Sequence, residues 1–221
     1  MKARDNPFRS SVIDNLPYVI EEGALSAIVE RYKENSFRGA LLGPHGSGKT
    51  TLLGEIECLL QSEGERVYRC RVRRNEHVVL PTILEKSQGA HLFIDGYDEL
   101  TVSDRLFLWW RSGGLKGLLV TTHSGCFLPV IEECLPSPVV FARLLSRIVN
   151  TEVKEVLPLA LHLHRLHKAN LRDAFEELYH LESCGGSCLP PQRHSKQAAN
   201  SGFVEVDTTS LIDTLRRKAL E

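Results

Sequence analysis

The eight residues Gly43-Pro44-His45-Gly46-Ser47-Gly48-Lys49-Thr50 constrain this chain more than any other stretch. They satisfy the pattern G-x-x-x-x-G-K-[ST] at every fixed position, after an apolar run (39–42) and before an amphipathic segment. Strand, glycine loop and helix follow one another without a gap. Glycines let the backbone curl until successive N–H groups point inward, with no side chain to keep an anion out. The helix that starts near Lys49 adds the positive end of its dipole. Lys49 then reaches the outer phosphates, and the Thr50 hydroxyl is placed to ligate Mg²⁺. Gly43, Pro44, His45, Gly46, Ser47, Gly48, Lys49, Thr50 and the adjoining Thr51 are therefore the candidate contacts of a nucleoside triphosphate. A glycine-rich turn with an incidental lysine is the competing reading, and the full match in this context leaves it little room.

A second string, Leu92-Phe93-Ile94-Asp95-Gly96-Tyr97-Asp98-Glu99-Leu100, is an apolar strand that ends in an acid. Asp95 at the carboxyl edge of a sheet can hold the Mg²⁺ shell, so Thr50 and Asp95 form the candidate metal pair. Asp98 and Glu99 are candidates to polarise a water for in-line attack on the γ-phosphate. Equally, the two acids can cap a helix that begins near Thr101.

Short apolar runs alternate with helical patterns from about residue 37 to 141. Strands are expected at 39–42, 66–72, 91–94, 118–121 and 139–141, and helices near 49–62, 77–87, 101–112 and 127–134. That alternation predicts an α/β fold with a mainly parallel sheet covered by helices on both faces. Residues 1–36 read as a lead-in and one helix carrying Ala24, Ile28, Val29 and Tyr32. Residues 142–183 read as a small helical subdomain, with Leu144, Leu145, Ile148 and Val149 on one face and Leu171, Ala174, Phe175, Leu178 and Leu181 on another. Turn formers make 184–202 a linker. A last helix is expected in 203–221, with Leu211, Ile212, Leu215 and Ala219 on one stripe.

The two motifs together resemble the additional-strand P-loop ATPases that include the AAA+ and STAND (NACHT-like) groups. Ile94-Asp95-Gly96-Tyr97-Asp98-Glu99-Leu100 is similar to the Asp-Gly-x-Asp-Glu form found in STAND proteins. The resemblance spans about residues 37–183. It implies a five-stranded parallel P-loop NTPase sheet of order 5-1-4-3-2, flanked by helices, with a small C-terminal helical lid. It also implies ATP and Mg²⁺ as cofactors; no Asn-Lys-x-Asp string points to guanine. Thr122 or His123, at the end of the 118–121 strand, occupies the place of the polar "sensor 1" that orients water, or serves as ordinary turn chemistry. Ala169-Asn170-Leu171-Arg172 resembles the "sensor 2" string Gly-Asn-x-Arg, with Ala169 in place of the usual glycine. Arg172 is thus the candidate to fold over the β/γ-phosphates, or else a surface arginine paired on its own helix. The chain departs from the pattern too. Gly96 separates Asp95 from the acids, the length leaves no room for a winged helix and repeat array, and Arg143 and Arg147 are arginine-finger candidates by position alone. A processive ring motor is therefore not expected.

The remaining features bound the partners. Lys and Arg total 27 against 28 Asp and Glu, for a formal net charge of −1, which excludes a polybasic nucleic-acid coat. Arg69, Arg71 and Arg73 share one strand face, which reads as protection of a sheet edge or as a contact for nucleic acid or an acidic partner. No apolar run approaches the roughly 20 residues that span a bilayer, and the start of the chain lacks the apolar core of a secretory signal. Six cysteines in 221 residues are too few for a disulfide scaffold, and four of them lie in apolar stretches suited to small core residues. A cytoplasmic protein is expected. His180, Cys184, Cys188 and His194 lack the usual zinc spacing and read as free groups. His162, His164 and His167 read as solvated. Of Trp109 and Trp110, one is expected in the core and the other at an interface. Phe8 or Tyr18 stacks on a base or anchors the lead-in. The expected activity is slow, Mg-dependent ATP hydrolysis that drives a conformational switch toward a protein partner, with a shared oligomeric site as an option. The alternatives are a non-hydrolysing nucleotide-responsive scaffold and a P-loop kinase for a small molecule.

Overall fold

Five apolar runs pair side by side to form the sheet. In the computed structural model, which describes residues 6–18, 23–73 and 79–183, they are β1 (Arg38–Leu42), β2 (Val67–Arg71), β3 (His91–Asp95), β4 (Gly117–Thr122) and β5 (Val130–Glu133). All four pairings are parallel, and the order is β2-β3-β4-β1-β5. Read from the β5 end this is 5-1-4-3-2, as the resemblance implied. Every residue of β3 and β4 is buried, as expected for parallel strands covered on both faces.

Strand alternation sorts the core into two layers. Leu92, Ile94, Leu118 and Val120 pack with Leu80 and Leu84 of α4 (Leu80–Lys86) and Leu108 of α5 (Val102–Arg111). The intervening Phe93 faces the other way and meets Tyr32 of α2 (Ala24–Glu34) edge to face at 6.2 Å. Leu52, Leu53, Ile56 and Leu60 of α3 (Lys49–Ser62) are fully buried.

Two expected elements exchange identity. Residues 127–134, read as a helix, contain strand β5, and residues 139–141, read as a strand, open helix α6 (Pro138–Val149). Phe127, Val130, Ile131 and Cys134 recur at helical spacing, yet Ile131 is needed as a strand residue filling the space above Gly39. At 137–138 the chain carries a helix start. Ser137 Oγ accepts from Val140 N at 3.2 Å, and Pro138 takes the first helical position.

The chain divides into two compact units, Ile20–Leu135 around the sheet, and Met1–Val19 with Pro136–Glu221. Among its described residues the second unit is helical: α1 (Ser10–Ile13), α6, α7 (Val153–Leu166) and α8 (Leu171–Ser183). Its core gathers Phe8, Phe141, Leu145, Val156, Leu159, Leu163, Phe175 and Leu178. Phe8 is thus an anchor of this core and does not offer its face to a base. His164 Nε2 lies 2.7 Å from Pro136 O and His167 pairs with Glu177, so these two rings are engaged where solvation was expected.

Neither tryptophan is in the core. Trp109 and Trp110 are 61% and 71% exposed, and with Val102 and Leu106 they make an outward apolar stripe on α5. Of the described cysteines only Cys134 is buried. No described helix is long and apolar enough to cross a membrane. The linker, the last helix, Cys184, Cys188 and His194 lie outside the described residues.

Candidate functional site

The loop between β1 and α3 folds as its glycines dictate. Gly46 and Gly48 take φ of +68° and +90°, a region that side chains disfavour. Gly43 serves a close approach instead, since a Cβ there would stand 2.4 Å from Cys134 O. The N–H groups of residues 45–49 make no well-formed hydrogen bond among the described residues. Ser47 Oγ is buried and likewise unpartnered. Lys49, only 7% exposed, rests its ammonium on the carbonyls of Gly43 and Pro44, each 2.6 Å away, and 3.1 Å from His123 Nδ1. Burial lowers its pKa, while Cys134, Asp95 and Asp98 pull the other way. A cluster of orphaned donors around a buried cation fits a polyanion.

Asp95, at the end of β3, collects hydroxyls and guanidinium groups. Thr50 Oγ1 lies 3.1 Å from both carboxylate oxygens, and Thr121 Oγ1 donates to Oδ1 at 2.9 Å while accepting from Gly96 N at 2.9 Å. Arg71 Nε and Arg69 Nη2 stand 3.5 and 3.8 Å from Oδ2. A carboxylate beside a threonine hydroxyl is a set of hard oxygen donors that suits Mg²⁺.

Asp98 gathers the end of β4. Its carboxylate accepts from Thr122 Oγ1 and Ser124 Oγ, both at 2.9 Å, and from the His123 N–H. Burial acts to raise its pKa, but these hydrogen bonds outweigh it and leave the carboxyl lowered. The Thr122 hydroxyl also lies 2.6 Å from Ser124 O, so its single proton serves two acceptors. Glu99 is exposed, and no side-chain partner holds it among the described residues. Neither acid caps α5; Thr101 does, accepting from Asp104 N at 3.2 Å.

The structure thus brings Gly43 to Thr50, Asp95, Asp98 and Thr122 to one edge of the sheet unit. Arg172 lies in the other unit, where Asn170 Oδ1 accepts from Arg172 N at 3.1 Å and the guanidinium stands 3.5 Å from Asp14, not from an acid of its own helix. Sequence reasoning missed Thr121, Ser124 and the role of Arg69 and Arg71 around Asp95. The last depends on the sheet register, in which parallel pairing sets Arg71 directly opposite Asp95. Arg69 also reaches Glu57 and Thr50 O, so this basic face is turned to the chain's own acids.

Sheet order, glycine loop and acidic strand end define a P-loop fold with the additional-strand sheet. The chain superposes on a DNA replication initiation factor with a TM-score of 0.54 at 15% identity, over 78% of this chain and 64% of that one. It therefore spans less than two thirds of that protein's length. DnaA from Aquifex aeolicus, solved with AMPPCP bound, aligns over 76% of this chain and 68% of its own at 13% identity, with a TM-score of 0.48. No protein-family model matches the sequence. Comparison with curated proteins returned no relative.

Proposed function

We propose that this chain binds ATP with Mg²⁺ at the 43–50 loop and hydrolyses it slowly, as a cytoplasmic conformational switch of the AAA+/STAND-like kind. One observation carries the reading: five backbone N–H groups and the Ser47 hydroxyl lack partners in a loop where a buried Lys49 leans on its own carbonyls. Lys49 and these N–H groups hold the phosphates, with Thr51 next along the helix. Thr50 and Asp95 hold Mg²⁺, which supplies charge neutralisation on the phosphate oxygens.

The two acids divide the remaining work. Asp98 is committed to Thr122, His123 and Ser124, and a carboxylate so well supplied with donors is a poor base. Its part is to latch the end of β4 so that Thr122 stands ready at the γ-phosphate. Glu99, exposed and unheld, orients the attacking water. Arg172 couples the nucleotide to the helical unit, and Arg143 and Arg147, exposed on α6, are the candidates to complete a neighbour's site in an oligomer. The apolar stripe Val102, Leu106, Trp109 and Trp110 favours a protein partner for the switch. The engagement of Arg69 and Arg71 by Asp95 and Glu57 speaks against nucleic acid on that face.

A second reading follows from the same commitment of Asp98: a module that responds to nucleotide occupancy without turnover. Phosphate release from Mg·ATP by wild type and Lys49→Ala, measured beside binding, separates the two. Turnover that vanishes in the variant supports the ATPase. Binding without turnover leaves the occupancy switch, and absence of binding overturns both.

A further inference from the structure

The triphosphate reading employs Lys49 and leaves two imidazoles beside it without a task. His45 and His123 stack with ring centroids 3.7 Å apart at 37°. His123 Nδ1 lies 3.0 Å from Gly43 O and 3.1 Å from Lys49 Nζ. Those two contacts exclude each other. The Nδ1 lone pair can accept from the ammonium, or an Nδ1–H can donate to the carbonyl, but one nitrogen cannot do both. The resting place of Lys49 therefore sets whether Nδ1 carries a proton, which the ring takes either from its own Nε2, as a neutral tautomer, or from solvent, as an imidazolium.

The charged neighbours of His123 are few. Lys49 approaches from α3 and His45 from the loop, and Asp98, just after β3, takes the His123 backbone N–H. Burial, then the Lys49 cation, hold the imidazole below its usual range, against the pull of Gly43 O and Asp98. The ring is neutral near pH 7 in the protein alone. A phosphate that replaces the loop carbonyls as acceptor for Lys49 relieves the second of these influences, while the ring stays buried. It draws the ammonium off Nδ1 and brings negative charge to within a few ångström of the ring.

We propose that His123 is a proton-linked phosphate-binding residue: as a triphosphate takes Lys49 from the loop carbonyls, His123 gains one proton from solvent, donates Nδ1–H to Gly43 O and faces the terminal phosphate as an imidazolium stacked on His45. The proposal rests on the triphosphate reading above. The only bond formed is the imidazole N–H, its proton taken from solvent and returned to solvent when the nucleotide leaves. The sign of the linkage follows. His123 binds its proton more tightly in the complex than in the free protein, so affinity rises as pH falls through the value in the complex. It levels off below the value in the free protein, and changes at most tenfold per pH unit between them.

The test is calorimetry of the full chain with Mg²⁺ and a non-hydrolysable ATP analogue near pH 7, in buffers of different ionisation enthalpy, for wild type and His123→Gln. Protonation of the analogue itself is common to both proteins and drops out of the difference. Wild type is expected to take up as much as one proton more than the variant, and its affinity to climb toward acid where the variant's profile is flatter. Equal proton uptake with parallel profiles overturns the proposal and leaves the triphosphate reading standing. Absence of binding by wild type overturns that reading and this one together. Should the variant fold poorly, imidazole NMR of wild type decides: His123 becomes cationic on binding, or stays neutral and the proposal falls.

Discussion

Helices α3 and α8 begin in opposite states. α3 follows Gly48, which has no side chain to cap it, and the N–H groups around its start lack well-formed partners. α8 follows Asn170, whose side chain accepts from Arg172 N and Asp173 N, and its first-turn arginine already has Asp14. Orphaned donors cost stability, so a chain that closes one helix start and leaves another open has spent stability on something other than folding. The open start is the one that carries the glycine loop.

The largest effect that breaks or sharpens this contrast is at Lys49. Lys49→Met is expected to weaken Mg·ATP at least about 100-fold, the loss of a charge-assisted contact to phosphate worth about 3 kcal/mol. Melting temperature should hold or rise, because the variant removes a buried ammonium with no carboxylate directly on it. Titration calorimetry and a thermal melt check the two halves. A variant that melts early would make Lys49 a structural brace, and the loop would no longer count as open.

Glu99→Gln comes next. Phosphate release should slow by about 100-fold with Mg·ATP affinity unchanged, since Glu99 is exposed and holds nothing in the fold. Asp98→Asn separates the neighbouring acid. Loss of the charge from a partly solvated carboxylate with three donors should cost about 1 kcal/mol. Because its pKa is lowered on folding, Asp98 stabilises the protein above the unfolded-state value near 4, and that contribution fades as pH falls through the folded value. Wild type and Asp98→Asn should therefore converge in stability in acid. Denaturant melts across that pH range show whether they do.

How much of this was legible in the sequence depended on whether a residue's task is local. The loop and the buried β3 are set by residues adjacent in the chain, and both were readable. β5 was not. Phe127, Val130, Ile131 and Cys134 fit helical and extended spacing alike, and the choice between them is made by Gly39, far away in sequence, whose missing side chain admits Ile131. The opposite error at Val139-Val140 was avoidable. β-branched residues suggested a strand, but Ser137-Pro138 is a helix start, and a cap with a first-turn proline outranks a short β-branched run. The Asp95 cluster was hidden for a different reason. Thr121, Arg69 and Arg71 lie on two other strands, and only the sheet register brings them to one carboxylate.

The smallest effects lie at the closed helix. Asn170→Ala removes the acceptor for two N–H groups and should lower stability by about 1 kcal/mol. Arg172→Ala, compared with it, tests what the closed start is for. The pair with Asp14 is exposed on both sides, so losing it should change stability by less than about 0.5 kcal/mol. If Arg172 leaves Asp14 for the β/γ-phosphates, as proposed, the variant should bind Mg·ATP a few-fold more weakly than wild type while binding Mg·ADP nearly as well. No loss for either nucleotide would keep Arg172 as a surface partner of Asp14. The helix that the chain has closed would then have no part in sensing the nucleotide.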